Sequence, residues 1–115
     1  MTVDEPPMSV DLEALRFDGR GLIPVIVQDA VTGDVLMMAW ADREALRRTV
    51  EEGRMVYWSR SRGELWRKGD TSGHVQHWES LSVDCDADVM LARVHQRGAA
   101  CHTGERTCFH RRLET

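Results

Sequence analysis

A chain of 115 residues, 42% hydrophobic and 30% charged, is enough for one domain with its own core and leaves no room for a second. The net charge of −4 argues against a nucleic-acid binder, and the most apolar stretch, Leu22 to Val27, is far too short to cross a membrane. The acidic, proline-bearing start does not read as a secretory leader, which points to the cytoplasm, where three cysteines stay unbridged.

Residues 1–18 show no sustained period beyond a short amphipathic hint at 10–15, and read as an extension with one helical turn. The domain proper runs over 19–115. Leu22 to Gln28 is rich in β-branched residues and predicts a strand, with Pro24 favouring a sheet edge. The turn residues of Asp29–Gly33 and a second apolar run, Asp34 to Trp40, complete a hairpin. Asp42 suits the N-cap of a helix over Arg43 to Glu52, and Gly53 suits its stop. Arg54 to Ser59 predicts a third strand, followed by a loop-rich basic stretch punctuated by Gly63, Gly69 and Gly73. His74 to Asp84 and Val89 to Gln96 predict two more strands, and Cys108 to Arg112 a last short one. The expected class is α+β: one small domain, a mostly antiparallel twisted sheet and one main helix.

Three segments carry chemistry. In Asp84-Cys85-Asp86-Ala87-Asp88 an extended backbone would put the three carboxylates on one face, within roughly 7 Å, where they repel unless a cation neutralises them. Oxygen-only ligation suits a hard ion such as Mg²⁺; a solvated acidic turn remains open, and the spacing lacks the glycine and final glutamate of an EF-hand loop. The second segment holds Cys101, His102, Cys108 and His110 within ten residues. With Cys85 it supplies three thiols, and metal binding ranks ahead of inert cysteines. Three ligands fit an open, catalytic zinc site, although Cys₃His through His102 or His110 would be an ordinary structural one. Three thiolates also leave zinc a poor acid towards its water, so the site needs a base, for which His102 is the candidate, or an electrophilic substrate.

The third segment, Trp58 to His74, gathers Arg60, Arg62, Arg67 and Lys68 with hydroxyls and glycines, a combination suited to phosphate; a polar surface loop is the alternative. Trp58 and Trp66 could stack on a base, although core packing is the commoner role. No Walker-type sequence is present.

Taken together, Trp58-Ser-Arg-Ser-Arg62, Leu65-Trp-Arg-Lys-Gly-Asp-Thr-Ser-Gly-His74, Asp84-Cys-Asp-Ala-Asp88, Ala100-Cys-His-Thr-Gly104 and Cys108-Phe109 resemble the phosphoribosyl-AMP cyclohydrolases of histidine biosynthesis. The resemblance runs from about Leu22 to Arg111, with Asp70 and His110 as mild departures from the family pattern. It implies a homodimer with active sites shared between subunits, zinc on Cys85, Cys101 and Cys108, and magnesium on Asp84, Asp86 and Asp88. Arg60, Arg62, Arg67, Lys68, Thr71, Ser72 and His74 become the expected substrate contacts, with His102 as the catalytic base. The implied reaction is zinc-dependent hydrolysis of the C6–N1 bond of 1-(5-phosphoribosyl)-AMP, opening the purine ring to the formimino-aminoimidazole carboxamide ribonucleotide. On that reading Cys85 and the Cys101/Cys108 pair can come from different subunits. Two rivals compete: a small zinc-stabilised binding module, and a zinc nucleobase deaminase, whose His-x-Glu and Pro-Cys-x-x-Cys motifs are missing.

Overall fold

The computed structural model describes residues 10–115. The first nine residues of the expected extension lie outside that range. The helical turn expected at 10–15 is a short 3₁₀ segment, Leu12–Ala14, capped by the Asp11 carboxylate, which accepts the Ala14 N–H at 3.1 Å. Leu15 behind it is buried in the core, and Leu12 and Phe17 pack against that core.

Six strands and one helix follow: β1 (Ile23–Asp29), β2 (Val35–Ala41), α1 (Arg43–Glu52), β3 (Val56–Ser59), β4 (Glu64–Arg67), β5 (Gln76–Val83) and β6 (Met90–Gln96). The helix bounds match the sequence reading because both signals are local. Asp42 accepts the Ala45 N–H at 2.8 Å, and Gly53 takes the left-handed conformation, φ 77°, that ends the helix.

The strands form one sheet in the order β4-β3-β2-β1-β6-β5. All neighbours are antiparallel except β1 and β6, which run parallel from Val25↔Met90 to Asp29↔Val94. The sheet curls until its far side meets the start of β3. Met55 N–H donates to the Gln76 carbonyl at 2.9 Å, and a bridge pairs Arg54 with His77. The enclosed side is apolar: Ile23, Val25 and Val27 alternate inward on β1, with Leu36 on β2, Leu46 on α1 and Val94 on β6 also fully or almost fully buried.

Three expectations need correction. Pro24 does not mark an edge, since β1 lies between β2 and β6; it precedes the first rung to β6 at Val25↔Met90, where a missing N–H is tolerated. The basic stretch is not all loop, because Glu64 to Arg67 pairs with β3 as a hairpin. Cys108 to Arg112 forms no strand; Cys108 is held by one bond, its N–H donating to the Leu36 carbonyl at 2.7 Å.

Candidate active site

The acidic pentapeptide is not extended either: it is the turn joining β5 to β6. Ala87 has φ 60°, the single non-glycine residue in the left-handed region among those described. The turn, rather than strand alternation, gathers the carboxylates. Oxygens of Asp84, Asp86 and Asp88 all lie within 4.8 Å of one another, and all three residues are exposed. Desolvation and the charges of Asp84 and Asp86 push Asp88 up. Desolvation would also raise Asp84, but the N–H groups of Asp88 and Val89, at 3.1 and 3.3 Å, hold it below the usual carboxylate range. Three carboxylates crowded in this way are a suitable donor set for a hard divalent cation.

Cys101 and Cys108 lie together at the other end of the strands. Residues 100–108 form a loop held by short-range bonds: Ala100 N–H donates to Arg106 O at 3.1 Å, and Arg106 reaches Asp29 and Asp34, both at 3.2 Å. That ties the loop to the β1–β2 turn. The Thr103 hydroxyl donates to the Cys101 sulfur at 3.0 Å. This bond and the Thr103 backbone N–H, with smaller help from His110 and Cys108, bring the Cys101 thiol down to about 6. Burial pushes Cys108 up, and the adjacent Cys101 sulfur adds to the shift. A ready thiolate beside a second thiol is a soft donor pair that fits zinc. His110 Nε2 stands 3.9 Å from the Cys101 sulfur.

Cys85 is not with them. It is exposed in the β5–β6 turn beside Val83↔Met90, whereas Cys108 lies beside Leu36 near the opposite end. The seven residues of β6 put about 20 Å between those ends, at a rise of about 3.3 Å per residue. Among the described residues, the one group of three possible ligands within mutual reach is the aspartate cluster.

A cleft of about 340 Å³ adjoins the Cys101 loop. Arg62, Thr71, Ser72, His74, Cys101 and His102 line it, together with Trp66, Arg67 and Lys68. Gly69 is part of its wall, and Gly98 lies against the His74 ring. A Cβ on Gly69 would sit 2.5 Å from the Val75 nitrogen, and one on Gly98 would sit 2.5 Å from the His74 ring. The four expected phosphate-binding cations are differently employed. Arg62 is exposed, 3.6 Å from Glu64. Arg67 pairs with Glu52 at 2.8 Å. Arg60 stacks 4.8 Å over the Trp40 ring and is not part of the cleft lining. Lys68 is buried, its ammonium donating to the Ala100 carbonyl at 2.7 Å. Sequence reasoning missed Thr103, Arg106 and Arg54, which bonds the Lys68 carbonyl at 2.7 Å. Only Thr103, two residues from a cysteine inside a Thr-Gly turn, left a readable signal.

The model of the phosphoribosyl-AMP cyclohydrolase family matches residues 37–110, the span of the thiols, aspartates and cleft. A phosphoribosyl-AMP cyclohydrolase of Marinobacter nauticus is 59% identical over 104 residues, 90% of this chain and 75% of that protein. One from Hyphomonas neptunium is 53% identical over 120 residues, covering 99% of this chain and 92% of its own. A histidine biosynthesis bifunctional protein of Thermosynechococcus vestitus is 58% identical over 105 residues, and the chain spans about half of it, 49%. The chain belongs to the phosphoribosyl-AMP cyclohydrolase family, hydrolases of histidine biosynthesis.

Proposed function

We propose that this hydrolase opens the adenine ring of 1-(5-phosphoribosyl)-AMP at C6–N1 in sites shared between two copies of the chain. The observation that carries the reading is the cleft in which the Cys101–His102 segment faces Arg62, Thr71, Ser72 and His74. A nucleotide with two phosphates and an electrophilic ring calls for that combination: donors for phosphate on one wall, hydrolytic groups on the other. The N1 substituent leaves the ring cationic or readily protonated, so C6 accepts water without a strongly acidic metal. Arg62, the cleft cation least engaged by protein partners, draws one phosphate; the Thr71 hydroxyl, and that of Ser72, whose oxygen accepts the His74 N–H at 3.2 Å, can donate to orient it. His102, exposed at the cleft, takes the proton released as water bonds to C6. The ring then opens as the C6–N1 electron pair withdraws to nitrogen, giving the carboxamide.

Cys101 and Cys108 would hold zinc, whose contribution when bound is to acidify water and polarise the reacting centre. Their third thiol partner is the partner subunit's Cys85, because a chain's own Cys85 lies at the far end of its strands. Asp84, Asp86 and Asp88 would hold magnesium. The outer sheet face supports a paired molecule. Ile26 stands between Met38 and Leu91 in register, and Pro24, Trp40 and Trp58 align in the next row. Ile26 and Met38 are 36% and 44% exposed, an apolar strip midway between the two ends. A two-fold axis through such a strip would bring the aspartate end of one copy to the thiol end of the other.

Mixing two inactive variants tests this. Cys85→Ala and Cys101→Ala each lose stoichiometric zinc and ring opening, followed by the product's ultraviolet absorbance. Reassociated together they recover about a quarter of full activity, because half the dimers are mixed and each mixed dimer has one intact site. Recovery of nothing, or a zinc-free Cys101→Ala with full turnover, refutes the shared zinc site. His102→Ala retaining zinc but not turnover identifies the base.

A further inference from the structure

We propose that Lys68 is a positioning residue of the thiol pair: its ammonium pins the Ala100 carbonyl, and with it the neighbouring Cys101. The inference rests on the zinc reading above and removes Lys68 from the set of phosphate contacts. The chain has fourteen arginines and a single lysine, and that lysine is its one buried cation. Its Nζ donates to Ala100 O at 2.7 Å and stands 5.5 Å from the centre of the Trp66 ring. Its backbone is fixed as well: the N–H donates to Met55 O at 3.1 Å, and the carbonyl accepts from Arg54 at 2.7 Å. A guanidinium is a wide planar fork, whereas an ammonium is a compact point charge, which suits the closed space between the Ala100 carbonyl and the Trp66 ring.

A buried ammonium with one hydrogen bond and one aromatic face stays costly unless negative charge lies nearby. Burial lowers the Lys68 pKa, and the charges of Cys108 and Cys101 oppose that shift. A side chain sequestered in this way has little left to offer a phosphate.

The test uses the full-length protein and zinc alone, by chelator competition, with KM and melting temperature measured in parallel. Lys68→Met, which keeps the stem and loses the charge, is expected to bind zinc 10–100-fold more weakly, as loss of a group supporting metal ligands usually does. Lys68→Arg, which keeps a charged donor for the Ala100 carbonyl in a wider head, recovers only part of that loss. Zinc affinity unchanged in Lys68→Met, with KM raised, overturns the proposal and restores Lys68 as a phosphate contact. Wild-type protein that binds no stoichiometric zinc refutes the underlying reading instead. If Lys68→Met does not fold, the lone lysine of the wild type is acylated and followed by peptide mass. Protection by zinc and not by inorganic pyrophosphate supports the assignment, and the reverse pattern overturns it.

Discussion

Replacing Gln76 by leucine tests the buried polar cluster beneath the thiol site. Gln76 is fully buried; it accepts from the Tyr57 hydroxyl, and its amide donates to Gln96 Oε1 at 2.7 Å and to the Met37 sulfur at 3.3 Å. Tyr57 is fully buried too, and burial, with a smaller effect from Cys108, pushes its pKa well up. Leucine nearly matches glutamine in volume, so the cost is polar and not a cavity. Stranding the Tyr57 hydroxyl costs about 1–3 kcal/mol, and each neutral bond lost costs about 1 kcal/mol more. With the bonds to Gln96 and Met37 also lost, the single variant should therefore lose about 3–5 kcal/mol, a fall of roughly 10–20 °C in melting temperature for a domain of this size. Tyr57→Phe alone strands the Gln76 side-chain carbonyl and costs about 1–3 kcal/mol, since the amide keeps its bonds to Gln96 and Met37. The double variant removes both partners, and should be more stable than the two separate losses added together by about 1–2 kcal/mol. Urea titration followed by tryptophan fluorescence measures all four proteins. Strictly additive losses, or a neutral Gln76→Leu, would show that the cluster does not couple as described.

Gly98→Ala should raise KM or lower kcat by displacing the His74 imidazole, and a His74→Ala background should erase that effect, since the added methyl then meets no ring. Additive kinetics in the double variant would place the harm in backbone strain at φ 71° instead. Asp42→Ala should cost about 1 kcal/mol of stability by stripping the α1 cap, read as a lower urea midpoint with unchanged slope. Asp29 is held below its usual pKa by the Thr32 and Val31 N–H groups and Arg106, against the opposing effect of burial. Its folded pKa being the lower one, its contribution is complete above the ordinary carboxylate range and is lost as pH falls through that range towards the folded value. The urea-midpoint gap between wild type and Asp29→Asn should therefore shrink on acidification; a gap that widens below pH 4 contradicts the assignment.

What the sequence disclosed was mostly local. The hairpin of β1 and β2, and α1 with both its caps, are fixed by neighbours in the chain, so period and turn residues sufficed. The parallel β1–β6 pair was not legible, because residues some 65 positions apart carry no mark of their register. Curling of the sheet through Arg54↔His77 was hidden for the same reason. In the site, residue types announced the donors, but the reason given for the aspartate cluster was wrong: a turn with Ala87 at positive φ gathers them, not strand alternation. The basic segment read as one phosphate-binding set because charge is visible in sequence and partners are not. Glu52, Trp40 and the Ala100 carbonyl each take up one of its cations.

That division of cations has a consequence for how the cleft discriminates. With Arg67 paired, Arg60 stacked on the outer face and Lys68 turned to the thiol loop, Arg62 is the cleft guanidinium left exposed, and on the proposed function it would meet one phosphate. A substrate bearing two phosphates therefore needs a second cationic anchor. Arg60 lies on Trp40, which lines a second hollow of about 330 Å³ shared with Asp88 and Arg16. In the proposed dimer, which would set the aspartate end of one copy against the thiol end of the other, this hollow and the main cleft would be neighbours across the interface. The second phosphate would then be met from the opposite subunit, by the aspartate-held ion with Arg60 or Arg16. A mononucleotide lacking the N1 ribosyl phosphate would engage one side only, so selectivity for the doubly phosphorylated substrate would arise from the pairing of subunits.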